Sequence, residues 1–100
     1  MLRKTFYIFL LAVLLPLCGC VESKIYKIGV SQCSQDDWRN KMNDEINREI
    51  MFHEDAVVEI RSADDSSEKQ IRDIRYFVDN GIDILIVSPN EAAALTPIIK

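Results

Sequence analysis

Hydrophobic residues recur at helical spacing in two stretches of the chain. The first begins at Asp37 and carries an apolar residue at every fourth position among charged ones, namely Trp38, Met42, Ile46 and Ile50. The second ends at Asn80-Gly81 and carries Ile71, Ile74, Phe77 and Val78. An α-helix turns once in about 3.6 residues, so each spacing gathers the apolar side chains on one face. The pattern predicts two amphipathic helices.

Three short runs predict β-strands, at residues 26–30, 56–61 and 84–87. They are rich in β-branched residues, and polar loops follow them. The run at 84–87 is apolar throughout, which is the pattern of a strand covered on both faces. Because strands and helices alternate, we predict an α/β fold with a doubly wound parallel sheet.

The ends of the helices are predicted from capping residues. Gly81 suits the position after a helix because glycine accepts a positive φ. The helix starts are assigned to Ser34 with Asp37, to Asp65 with Glu68, and, for a third helix, to Thr96 with Pro97.

The first 20 residues have the order of parts of a secretion signal. Arg3 and Lys4 supply a positive start, and an apolar run from Phe6 to Leu17 follows. A membrane-spanning helix needs about 20 apolar residues, and this run is shorter. We therefore expect a signal peptide at residues 1–20, and hence a function outside the cytoplasm.

The end of this segment points to a lipid anchor. Leu17-Cys18-Gly19-Cys20 resembles the lipobox of bacterial lipoproteins, in which the last cysteine receives the lipid. The resemblance implies a signal of the lipoprotein type, lipidation of Cys20 and a spacer at residues 21–24. The protein is then expected to be periplasmic and anchored to the membrane through its N-terminal lipid.

Charge and cysteine content exclude several classes of partner. Without the signal, the Lys+Arg count falls from 12 to 10 against 16 Asp+Glu, a formal charge of about −6. No basic block survives, so binding to nucleic acid is not expected. Cys33 would be the only free thiol left, which provides neither a disulfide framework nor a metal site.

Three loops follow the predicted strands, at residues 31–37, 62–66 and 88–93. Ligands of open parallel sheets bind beyond the carboxyl ends of the strands, where these loops lie. None contains glycine, so no phosphate cradle and no nucleotide cofactor is expected. Their amides, hydroxyls and carboxylates, with the indole of Trp38, suit a small carbohydrate.

Structural roles are open for several of these residues. Trp38 can equally be the first core residue of the 38/42/46/50 stripe, and Asp36 and Asp37 can be helix-capping acids. The single histidine, His53, stands at the end of the first helix, and Cys33 has no general base in its own loop. We therefore expect no catalytic residue and no enzymatic activity in this chain.

Two segments carry a resemblance to a known family. Tyr26 to Ser31 and Gly81 to Asn90 resemble the first lobe of type I periplasmic binding proteins, the ribose-binding and LacI-like group, and the similarity extends over residues 25–100. It implies that these residues are a truncated N-terminal lobe, with the second lobe outside the chain.

Within that group, three runs are most similar to the periplasmic sensor of Bacteroides-type hybrid two-component regulators. They are Gly29 to Ser34, Trp38 to Glu45 and Ser88 to Ala93. In the family, the loop after the first strand and the position before the proline after the third strand contact the sugar. The candidate ligand residues are therefore Gln35, Asp37, Trp38, Ser88 and Asn90.

Asp37 departs from the family pattern, because the ribose binder has an aromatic residue there. The stacking role therefore carries over to Trp38 alone, and the identity of the sugar stays open.

Three functions are compatible with these features. The first is the ligand-binding domain of a two-component sensor whose full-length parent could be a histidine kinase. The second is a substrate-binding lipoprotein of a sugar transporter, and the third is an inactive exported remnant. A receiver domain shares the topology, but it needs an aspartate where Ser88 stands.

We predict that Cys20 becomes the lipidated N-terminus of the mature protein. Mass spectrometry of the membrane fraction should show a lipid-modified N-terminal cysteine, and Cys20→Ser should abolish the modification. An intact Met1 start, or a soluble chain cleaved elsewhere, would contradict the lipoprotein assignment.

Overall fold

A computed structural model describes residues 23–100, which form a three-stranded sheet with three helices. The elements are β1 (Tyr26–Gln32), α1 (Asp37–Ile50), β2 (Ala56–Ser62), α2 (Ser67–Asp79), β3 (Ile84–Ser88) and α3 (Ala92–Ile99). All strands are parallel, in the order β2-β1-β3. The predicted α/β class with a doubly wound sheet is confirmed, and each strand continues one or two residues beyond its predicted end.

The predicted signal peptide and Cys20 lie outside the described residues. Within residues 23–100, no helix is both long enough and apolar enough to cross a membrane.

Helix α1 lies against one face of the sheet. Asn43 Nδ2 donates a hydrogen bond to Gln32 Oε1 at 3.2 Å, and the Gln32 amide donates in return to Asn43 Oδ1. Ile46 and Ile50 line a cavity of about 330 Å³ between helix and sheet, and no residue of α1 is fully buried. Trp38 is 71% exposed, so the alternative that it belongs to the core is wrong.

Helix α2 packs on the opposite face, where a glycine of β1 allows close approach. A Cβ atom on Gly29 would lie 2.8 Å from two ring carbons of Phe77, which is itself buried. The predicted stripe is right for Ile74 and Phe77 but wrong for Val78, which is 58% exposed. The buried residues of α2 are Gln70, Asp73, Ile74 and Phe77. Packing against the sheet therefore buries the side of the helix that carries these four and leaves the neighbouring side exposed.

The first two predicted N-caps are displaced. Helix α1 is capped by Asp36 rather than Ser34, because β1 continues to Gln32 and the loop begins later than predicted. Helix α2 is capped by Ser66 rather than Asp65. An N-cap needs an extended backbone, which Ser66 has, whereas Asp65 is left-handed with φ of 63°.

Helix α3 starts earlier than predicted. It begins at Ala92, so Thr96 and Pro97 lie inside it and do not start it. The Thr96 hydroxyl instead donates to the Ala92 carbonyl at 2.7 Å, one turn earlier in the same helix. The prediction for Gly81 is confirmed, since it follows α2 with φ of 71°.

One face of β3 is open among the described residues. Ile84 and Ile86 are each 48% exposed, so residues 23–100 do not themselves supply the cover on both faces that the apolar run predicts. Helix α1 packs over β1 and β2, and α2 and α3 pack together on the other face.

We predict that Gly29→Ala destabilises the protein, although alanine usually favours a strand over glycine. The added methyl group overlaps the Phe77 ring, and overpacking of this kind costs about 1–3 kcal/mol in the free energy of unfolding. Urea denaturation measures the loss.

Gly81→Asn is the matched control, because a Cβ there meets nothing within 4 Å and asparagine tolerates a positive φ. It should cost less than Gly29→Ala. The reverse order would contradict the close approach of β1 and α2.

Candidate functional site

The three strands end at one edge of the sheet. Gln32 is paired in register with Ser62 on one side and with Ser88 on the other. We call this end the carboxyl edge; it comprises the loops at residues 33–36, 63–66 and 89–91 and the first turn of α1. Open parallel sheets bind ligands at such an edge.

Three predicted ligand residues lie where β1 leads into α1. Gln35 is exposed in the loop, and Asp37 and Trp38 are exposed in the first helical turn. None of these three side chains forms a hydrogen bond to another described residue. An exposed indole beside an amide and a carboxylate provides an apolar surface together with polar groups that can bind hydroxyls.

Asp36 holds this first turn in place. Its Oδ1 accepts a hydrogen bond from the Arg39 backbone N–H at 2.8 Å, and its other oxygen pairs with the Arg39 guanidinium. The backbone hydrogen bond, assisted by the arginine charge, lowers the pKa of Asp36 below its ordinary value of 3.8. The capping alternative is confirmed for Asp36, whereas Asp37 is the first helical residue.

The other two predicted ligand residues, Ser88 and Asn90, flank Pro89 after β3. Asn90 connects this loop to the one after β2, because its Nδ2 donates to the Asp65 carbonyl at 3.2 Å and to Ser67 Oγ at 3.0 Å. Both donor hydrogens of the Asn90 side chain are therefore engaged within the protein, and only its oxygen is left to bind a ligand.

The loop after β2 is also held against the end of β1. The Ala63 N–H donates to the Gln32 carbonyl at 2.8 Å, and the Asp65 N–H donates to the Cys33 carbonyl at 2.7 Å. The three loops of the carboxyl edge thus form one hydrogen-bonded unit.

Sequence reasoning missed Gln70, a buried residue of α2 directly behind this edge. Its side chain hydrogen-bonds to the backbone of Ser31, Ser88 and Asn90. Gln70 stands four residues before Ile74 and seven before Phe77, so it lies on the buried line of the helix. A polar residue at that spacing is the signal that could have identified it.

The two residues considered for catalysis, His53 and Cys33, do not pair with each other as general base and nucleophile. His53 Nε2 lies 3.1 Å from Glu49 Oε1 after the end of α1, whereas Cys33 is buried at the end of β1 with Sγ 3.7 Å from Ser34 Oγ. Within residues 23–100, no three side chains of the metal-binding types are grouped to hold an ion.

The sheet order, the two-sided helices and the polar carboxyl edge define part of a periplasmic binding protein fold. The chain is similar to the fructose-binding periplasmic domain of the hybrid two-component system BT1754, with 59% identity and a TM-score of 0.72. The match covers 74% of this chain and 25% of that one. The predicted resemblance to this fold and to sensors of this kind is confirmed.

Transporter proteins show the same fold at lower identity. A solute-binding protein of an ABC transporter from Bacillus halodurans, with bound myo-inositol, has a TM-score of 0.71 at 24% identity over 80% of this chain and 28% of that one. A periplasmic ribose ABC transporter protein from Conexibacter woesei has a TM-score of 0.66 at 23% identity over 77% of this chain and 26% of that one. These likenesses establish the fold alone.

No protein-family profile and no curated protein matches the chain. The chain spans about a quarter of the length of the solved structures that it matches.

We predict that the Asp36 cap stabilises α1 in a pH-dependent manner. Because its pKa is lower in the folded state, the contribution is present above the ordinary carboxyl range and is lost as the pH falls through the folded pKa. Asp36→Ala should lower the unfolding midpoint at neutral pH.

Asp36→Asn is the control, because the amide oxygen caps the helix at every pH. On acidification, the difference between wild type and the asparagine variant should shrink or reverse. An identical pH dependence in both proteins would contradict the role of the carboxylate.

Proposed function

We propose that residues 23–100 form the first part of an extracytoplasmic carbohydrate-binding domain in a two-component sensor. The observation that carries the proposal is the 59% identity to a fructose-binding sensor domain over 74% of this chain. On this proposal a second lobe closes over the carboxyl edge, and a kinase module receives the information about occupancy. Neither part lies within these 100 residues.

The chemistry of the carboxyl edge supports a carbohydrate ligand. We propose that Trp38 stacks on the apolar face of the sugar, while Gln35, Asp37 and Ser88 form hydrogen bonds with its hydroxyl groups. Asn90 contributes through its side-chain oxygen, because its Nδ2 is bound to the loop after β2. No cofactor or metal ion takes part in this binding.

The proposed location is the periplasm, with the domain held at the membrane through a lipid on Cys20. The periplasmic domains among the structural relatives support this location. The spacer at residues 21–24 would keep the sheet close to the membrane surface, since each extended residue spans at most about 3.6 Å.

A substrate-binding lipoprotein of a sugar transporter is the second candidate, favoured by the transporter proteins that share the fold. The DNA beyond codon 100 distinguishes the two. A transmembrane helix and a kinase in the same reading frame would establish the sensor, whereas neighbouring permease and ATPase genes would establish the transporter. A reading frame that ends without encoding a second lobe would favour the third function, an inactive exported remnant.

We predict that Trp38→Ala weakens sugar binding by the complete protein and leaves the fold intact. Burying a large apolar side chain is worth about 1.5–3 kcal/mol, so the affinity should fall about tenfold to a hundredfold. Calorimetric titration with fructose, ribose, glucose and myo-inositol measures the effect, and circular dichroism monitors the fold.

Phe52→Ala is the matched control. Phe52 is an equally exposed aromatic residue, but it follows the carboxyl end of α1, next to the start of β2 and away from the carboxyl edge. It should leave the affinity unchanged. Normal binding by Trp38→Ala would show that Trp38 is not the stacking surface.

A further inference from the structure

Gln70 is a fully buried amide that bonds only to the ends of strands and the loop beyond them. Its relative exposure is 0%. Nε2 donates to the Ser88 carbonyl at 2.9 Å and to the Ser31 carbonyl at 3.3 Å, while Oε1 accepts from the Asn90 N–H at 2.9 Å. One side chain of α2 therefore binds the backbone of β1, of β3 and of the loop after β3.

The backbone around Pro89 needs such a partner. The chain leaves the sheet after Ser88, so the following N–H and carbonyl groups no longer have a neighbouring strand to pair with. Gln70 supplies a donor for the Ser88 carbonyl and an acceptor for the Asn90 N–H. Because one rigid amide forms both bonds, the positions of Ser88 and Asn90 are fixed relative to each other.

The effect of Gln70 extends to the loop after β2 through Asn90. The Asn90 side chain binds Asp65 and Ser67, and the Asp65 N–H binds the carbonyl of Cys33 just after β1. Gln70 is thus connected, through Asn90, to a series of hydrogen bonds that joins all three loops of the carboxyl edge.

Filling the volume between helix and sheet does not by itself explain an amide at this position. The neighbours of Gln70 on the buried line of α2 include Ile74 and Phe77, and an apolar residue could fill the same volume. Burying a polar group is unfavourable unless the group forms hydrogen bonds. Each hydrogen bond that forms contributes only about 1 kcal/mol to the free energy of unfolding. What the amide adds is a partner for the Ser88 carbonyl and for the Asn90 N–H, and with these two bonds a defined geometry for the loop.

We propose that Gln70 is a positioning residue for the ligand, which it never touches. It holds Ser88 and Asn90 in the arrangement that binds the ligand and keeps their loop in register with the loops after β1 and β2. This inference rests on the proposed carbohydrate-binding function, and it adds a residue that acts from inside the domain.

The test compares Gln70→Met with Gln70→Glu in the complete protein. Methionine fills a similar volume without hydrogen bonds, so deuterium exchange in a peptide from Val87 to Ala92 should become faster at Asn90. Ionised glutamate keeps an acceptor for the Asn90 N–H, so that amide should stay protected at a pH where the carboxylate is charged. In place of two donors, however, it sets a negative charge against the Ser88 and Ser31 carbonyls. Both variants should bind the sugar more weakly, on the order of tenfold, because the loop is no longer held in position.

Gln32→Met is the matched control for exchange, since Gln32 is also fully buried but its amide binds Asn43 of α1. It should lower stability and leave the Asn90 amide protected. Equal exchange at Asn90 in Gln70→Met and wild type would overturn the proposal. If Gln70→Met does not fold, wild-type affinity in Gln70→Glu would also overturn it.

The two proposals fail in different ways. Absence of sugar binding by the wild-type protein would refute the carbohydrate function, whereas the exchange comparison would still decide whether Gln70 holds the Asn90 loop. Normal sugar binding by both folded Gln70 variants would refute the positioning role alone.

Discussion

The central place of β1, paired in parallel with a neighbour on each side, is the constraint on which the other features depend. Parallel pairing aligns the carboxyl ends of all three strands, with Gln32 between Ser62 and Ser88. It also requires each connection to cross back over the sheet. Because β2 and β3 lie on opposite sides of β1, right-handed crossovers place the two connecting helices on opposite faces. The polar loops therefore gather at one edge because of strand direction, before any contact between their side chains is considered.

The two faces of β1 meet their helices in different ways. On one face Gly29 has no side chain, so the Phe77 ring lies directly against the strand. On the other face the Gln32 amide is paired with Asn43, and the neighbouring apolar residues leave a cavity. A cavity of about 280 Å³ lies on the α2 face as well, but α2 buries four residues there whereas α1 buries none. The α2 face is also the one that holds Gln70 behind the carboxyl edge.

The polar residues at the carboxyl edge and directly behind it divide into two groups. Gln70 and Asn90 use their amides to join the loops, whereas Gln35, Asp37 and Trp38 are exposed to solvent. Such a division suits a binding site, because a ligand is bound best by exposed groups whose backbone is already held in place. On the positioning proposal, a buried residue behind the loop would affect affinity through this held backbone.

The sequence by itself determined the element order, the α/β class and the edge at which the candidate residues lie. Hydrophobic periodicity is a local property of the chain, and alternating strands and helices imply parallel strands whose carboxyl ends share one edge. The sequence also identified Gly81 and the stripe members Ile74 and Phe77. Only the tertiary structure decided which helical line of α2 is buried, that Trp38 is exposed, and that Asp36 and Ser66 cap the helices. Gln70 belongs to this second group, because its partners are up to 39 residues away and the chain's periodicity carries no information about which carbonyls a buried amide will meet.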